Sequence, residues 1–65
     1  MDKKTIGKRL VHLRGEKSRI AVAEAIGVSV SALQMYENGD RIPRDEIKVR
    51  IAEYYGQTVG SIFYT

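Results

Sequence analysis

Residues 19–36 read RIAVAEAIGVSVSALQMY, and this stretch decides the fold. Ser18 stands before it as the N-cap of a helix whose Val22, Ala23 and Ile26 share one face. That helix stops at Gly27. Ser29 caps the next, which runs to about Glu37 and ends in Asn38-Gly39. Two helices joined by so short a turn cross closely. Bulk at Ala23 would push them apart, and a side chain at Gly27 would be strained at a positive φ. Val22, Ile26, Val28 and Leu33 fill the angle between the two helices.

The outward face of the second of these helices follows from its period. At about 100° per residue, Val30, Ser31, Gln34 and Met35 cluster on one side, and Leu33 and Tyr36 lie nearly opposite. Leu33 and Tyr36 therefore turn to the core. Val30 and Met35 are apolar residues on a face with no protein to cover it. That suits a surface meeting thymine methyls and base edges. Two scattered exposed apolar residues, which are common, are the plainer reading.

Outward from this pair, glycine divides the chain. Gly15, Gly27, Gly39 and Gly56 each follow a segment of helical apolar spacing, where a left-handed residue closes a helix. Five short helices result. The first spans about residues 5–14, with Ile6, Leu10 and Leu13 on its inner face. Residues 40–43 form a loop, and Pro43 starts the fourth helix, which buries Ile47, Ile51 and Tyr55. Thr58 caps a last short helix through Ile62 and Phe63; a strand is open only for the final residues. The expected fold class is all-α, a compact five-helix bundle in a single domain, residues 1–65.

Composition narrows the function. With no cysteine, disulfides and thiolate metal sites are excluded. No run of about 18 apolar residues occurs, and Met1-Asp2-Lys3-Lys4 leads into an amphipathic pattern instead of a signal peptide, so a cytoplasmic protein is expected. A core this small invites a second copy of the chain as its supplement. The net charge is +3, and Lys3, Lys4, Lys8, Arg9, Arg14, Lys17 and Arg19 crowd the first third against Asp2 and Glu16. A basic end fits a polyanion partner. On charge alone, ordinary surface charge for solubility is the favoured reading.

The chain resembles the Cro/repressor-type (XRE) helix-turn-helix regulators along nearly its whole length. The resemblance is carried by residues 6–10 (IGKRL), 22–29 (VAEAIGVS), 36–39 (YENG), 41–43 (RIP), 51–56 (IAEYYG) and 61–63 (SIF). It implies a lambda-repressor-like domain whose third helix enters the major groove of double-stranded DNA. By the same resemblance Val30, Ser31 and Met35 touch bases, with Gln34 beside them able to hold adenine in a bidentate contact. Asn38, Ser29, Arg41 and Arg44 meet the phosphate backbone. Arg14 and Glu37 match a buried ion pair between the first helix and the end of the third; losing one partner there costs roughly 3–5 kcal/mol. Two features depart from the family. Arg19 stands where glutamine is usual, and its charged fork would grip a phosphate. The link between the first two helices is two residues shorter than the commonest spacing.

Tyr54, Tyr55, Ile62, Phe63 and Tyr64 are more apolar surface than five short helices bury. They read either as a lid on the core or as a self-complementary patch. Dividing them puts Tyr55 and Ile62 in the core and Tyr54, Phe63 and Tyr64 at a homodimer interface. His12 has no ligand cluster near it in sequence, the serines lack a histidine and carboxylate arrangement, and no phosphate-binding glycine loop occurs. No catalytic residue, metal or cofactor is expected. The whole describes a small homodimeric transcription regulator, of repressor type and of bacterial or phage kind. Its operator is pseudo-palindromic, with half-site centres about 34–36 Å or a multiple apart. Control would come from a separate regulatory protein. The rival is a protein-interaction module, such as an antitoxin or adaptor, using the same helical face on a protein.

Overall fold

The computed structural model describes residues 2–65; Met1, the first residue of the expected domain, lies outside the described residues. Five helices follow one another: α1 Lys3–Arg14, α2 Arg19–Ile26, α3 Val30–Asn38, α4 Asp45–Tyr55 and α5 Val59–Phe63. No strand occurs among the described residues, and the last two continue as coil.

Local chemistry sets most boundaries. The Asp2 carboxylate accepts from the Lys4 amide at 3.1 Å and from the Thr5 hydroxyl at 2.6 Å. This cap lets α1 begin at Lys3, two residues before the start that its apolar spacing predicts. Ser18 accepts from the Ala21 amide and Ser29 from the Ala32 amide, three residues on in each case. Thr58 caps α5 in the same way through the Ser61 amide. At the other ends, Gly27 turns the chain at φ 88° and Gly39 at φ 76°, conformations that suit glycine.

Pro43 does not start α4. It is buried in the loop, and Arg44 behind it is extended at ψ 161°, so helical geometry begins only at Asp45. Asp45 and Glu46 then place two carboxylates at the positive end of α4.

The core draws on every helix: Ile6 and Leu10 from α1, Val22 and Ile26 from α2, Leu33 from α3, Ile51 from α4, Ile62 and Phe63 from α5. Leu13 and Tyr55 are only partly buried at its edge. Phe63 corrects the expectation of an interface residue, for its side chain is buried to 1% exposure. A five-residue helix wedged between α1 and α4 has inner surface on two sides, so the adjacent residues Ile62 and Phe63 both turn inward.

At Gly7 the backbone of α1 comes close to the end of α3. A Cβ added to Gly7 would lie 2.5 Å from the Glu37 carbonyl oxygen and 3.0 Å from the Gly39 nitrogen. From one turn earlier on α1, the Lys4 ammonium donates to the Asn38 carbonyl at 3.0 Å, closing the C-terminal end of α3. These contacts hold α3 against the body of the protein and leave its other face uncovered.

Candidate nucleic-acid interface

α3 sorts its side chains by face. Leu33, Tyr36 and Glu37 are buried, whereas Val30, Ser31 and Gln34 are exposed and Met35 is half-buried. Val30 keeps 38% of its surface in solvent. Two helix-length constraints produce this: α2 packs on the inner face of α3, and α1 packs along its C-terminal end. What remains outside is a short ridge with one apolar branch, one hydroxyl, one carboxamide and a flexible thioether. That set has donors, acceptors and apolar contact for base edges, and no nucleophile–base pair for chemistry.

Behind the ridge lies an ionic anchor. The Glu37 carboxylate is fully buried and accepts from Arg14 Nε at 2.8 Å and Arg19 Nε at 3.0 Å. The Glu37 hydrogen bond holds the Arg14 guanidinium above its ordinary pKa. Arg19, expected on a phosphate, thus has one nitrogen committed to Glu37; its side chain remains 41% exposed, and its terminal nitrogens make no hydrogen bond among the described residues. The Tyr55 hydroxyl is buried with no hydrogen-bond partner among the described residues. Burial, with the negative charge of Glu37, pushes its pKa up to about 12.

The other expected phosphate residues surround α3. Ser29 is exposed at its start; its oxygen accepts from Ala32, leaving the hydroxyl proton to donate outward. Asn38 is exposed at its end, while its carbonyl serves Lys4. Arg41 and Arg44 line a cleft of about 620 Å³ between the α2–α3 turn and α4, and Ser29 and Gly27 form part of its wall. Sequence reasoning passed over a third arginine there, Arg50 on α4, although its position one turn from Ile47 and beside Ile51 marks it as a boundary residue.

Much of the positive charge in the first third of the chain is engaged within the fold. Arg9 donates to the Ile62 and Thr65 carbonyls. Lys4 holds Asn38, and Arg14 and Arg19 hold Glu37. The Lys17 ammonium sits 5.3 Å from the centre of the Tyr54 ring. Arg41 and Arg44, by contrast, make no ion pair among the described residues.

Of the aromatic residues expected at an interface, Tyr54 and Tyr64 are exposed. Tyr54 packs edge-on against Tyr55, with ring centres 5.0 Å apart. The Tyr64 hydroxyl accepts from the buried Lys48 ammonium at 2.8 Å, and that ammonium also lies over the Phe63 and Tyr64 rings. In sequence Lys48 reads as solvated, like any helical lysine; Phe63 and Tyr64, which with Asp45 enclose its ammonium, lie too far along the chain for a local pattern to report. His12 is exposed on α1. Among the described residues no group of three or more histidine, cysteine or carboxylate side chains is placed to hold a metal, and no helix is long and apolar enough to cross a membrane.

Comparison with known proteins agrees with this architecture. A helix-turn-helix family model matches residues 13–61. The solution structure of LexA, an SOS-response transcriptional repressor from Eubacterium rectale, superposes with a TM-score of 0.87 at 24% identity, covering 94% of this chain and 67% of that one. The crystal structure of ClgR, a clp gene regulator from Corynebacterium glutamicum, superposes with a TM-score of 0.83 at 23% identity, covering 95% and 68%. No curated protein matches the sequence. With the family match spanning three-quarters of its length, the chain belongs to the XRE-type helix-turn-helix family, whose members are DNA-binding proteins and not enzymes.

Proposed function

We propose that the protein is a sequence-specific regulator of transcription that binds double-stranded DNA as a homodimer, acts as a repressor, and places α3 of each subunit in the major groove of one half-site. The observation that carries this reading is the uncovered ridge of α3, Val30, Ser31, Gln34 and half-buried Met35, flanked by Arg41 and Arg44, which form no ion pair among the described residues. The ridge reads bases; Ser29, Arg19, Asn38, Arg41 and Arg44 grip phosphates and orient it. Tyr54 and Tyr64 offer exposed aromatic surface for the second copy. Two-fold symmetry then requires an operator of two inverted half-sites, centred about 34–36 Å or a multiple apart.

Selection of binding sites from random duplexes tests groove reading, symmetry and spacing together. The expected product is an inverted repeat whose affinity falls linearly with salt on logarithmic axes, by about 0.9 per phosphate contacted. An Arg41→Ala, Arg44→Ala double variant should make that line shallower by nearly two units. Recovery of no sequence preference, with binding insensitive to salt, would refute the proposal and favour a protein partner for the ridge.

A further inference from the structure

The cleft beside α3 contains a cation that the base- and phosphate-contacting set above does not use. Arg50 projects from α4 across the α2–α3 turn, so that a Cβ on Gly27 would stand 3.3 Å from its Nη1. Gly27 therefore serves twice: it accepts φ 88°, and its bare α-carbon leaves room for the guanidinium to cross. The cleft wall brings Arg50 together with Arg41, Arg44 and Ser29. Among the described residues its one carboxylate is Glu46, a turn before Arg50 on the same helix, and the two form no ion pair. Glu53, a turn further along α4, lines the shallow depression on the far side of Arg50 and leaves it equally unpaired.

We infer that this cleft is a phosphodiester site and that Arg50 is a further backbone-binding residue, acting with Arg41 and Arg44 on DNA that flanks the bases read by α3. The inference rests on the DNA-binding reading above. Three guanidinium groups facing one carboxylate leave the cleft positive, and a guanidinium fork donates two parallel hydrogen bonds to a phosphate. The Ser29 hydroxyl supplies a neutral donor on the opposite wall. A double-stranded nucleic acid is the occupant because the cleft adjoins the α3 ridge: Ser29, in the cleft wall, immediately precedes Val30, the first residue of the ridge. Arg50 carries no sequence information there; it adds affinity and fixes orientation.

The test uses the full chain, a mixed-sequence duplex and a salt titration of the parent and three variants. Arg50→Gln should reduce the logarithmic salt slope by about 0.9, the value for one phosphate, and weaken binding to all sequences alike. Arg50→Lys should retain the parent slope. Glu46→Gln, which removes the opposing charge, should strengthen binding at low salt. Arg50 is exposed and in none of the ion pairs among the described residues, so its variants should melt with the parent. A parent slope retained by Arg50→Gln, or a change confined to particular sequences, would overturn the assignment while leaving DNA binding intact. A parent that shows no salt-dependent binding would remove the DNA-binding reading itself.

Discussion

Where a Cβ would stand on Gly7, the Glu37 carbonyl oxygen is only 2.5 Å away. Glycine inside a helix ordinarily costs about 1 kcal/mol relative to alanine, so its presence in α1 asks for a packing reason. The end of α3 is that reason. Both near atoms belong to backbone, the Glu37 oxygen and the Gly39 nitrogen, and neither yields as a side chain would. Gly7→Ala should therefore lose more through overpacking, about 1–3 kcal/mol, than it gains in helix propensity. In a domain of this size each 1 kcal/mol lowers Tm by about 4–8 °C. Thermal melting of the variant reads the result directly; a higher Tm would mean that α1 and α3 part without penalty.

The same end of α3 carries the buried carboxylate shared by two arginines. Arg14 is the more enclosed partner, with 15% of its side chain exposed against 41% for Arg19. Arg19→Ala should cost about 1 kcal/mol or less, because Arg14 still neutralises Glu37 and the lost pair is half solvated. Arg14→Ala should cost more, approaching the roughly 3–5 kcal/mol of a broken buried pair. The double variant leaves Glu37 buried with no cation and should exceed the sum of the two. Denaturant melts of all four chains give the coupling, and simple additivity would show that the carboxylate is not what links them.

Tyr55 makes a prediction in the alkaline range. Its hydroxyl is pushed up from the ordinary tyrosine value of 10.0 to about 12, first by burial and then by Glu37. Between those values the native state holds a proton that the unfolded state has released. Stability must then fall as pH rises from about 10 towards 12. Lys48 adds to this limb, since its hydrogen bond to Tyr64 raises its pKa; that contribution is present below 10.5 and is lost as pH climbs through the folded value. Tyr55→Phe removes the first term and leaves the second. The variant should lose stability less steeply above pH 10. It should also equal or exceed the parent at neutral pH by about 1 kcal/mol, because a buried hydroxyl without a partner is removed. Chemical denaturation across pH 7–12 measures both, and an unchanged alkaline limb would contradict them.

Sequence reasoning reached what is local. The caps at Ser18, Ser29 and Thr58 act on amides three residues away, and the positive-φ glycines terminate their own helices. The outward ridge of α3 is legible for the same reason, because a nine-residue helix has enough turns to define a face. The misses share a different physics. Phe63 sits on a helix of one turn and a little more, where periodicity defines no single inner side. Pro43 satisfies the preference for a helix start, but burying it in the loop left the following residue extended. Lys4, Arg9, Arg19, Lys48 and Arg50 act through long side chains on groups that only the assembled fold brings near, so charge position along the chain misjudged which cations were free.

Gln34 separates reading from gripping. It is exposed at the middle of the α3 ridge, and its carboxamide offers one donor and one acceptor, the pair that matches adenine N7 and N6 in the major groove. A phosphate contact would use only the donor. Gln34→Ala should thus relax preference at one position in each half-site, at about 1–3 kcal/mol for the base concerned, and leave the salt slope as in the parent. Replacing Arg41 should do the reverse, lowering the slope by about 0.9 with the sequence preference unchanged. Site selection and salt titration on the two variants give opposite pairs of outcomes. If Gln34→Ala instead weakens binding to all sequences alike and keeps the preferred sequence, the amide lies on the backbone, and the ridge of α3 is tilted away from the bases.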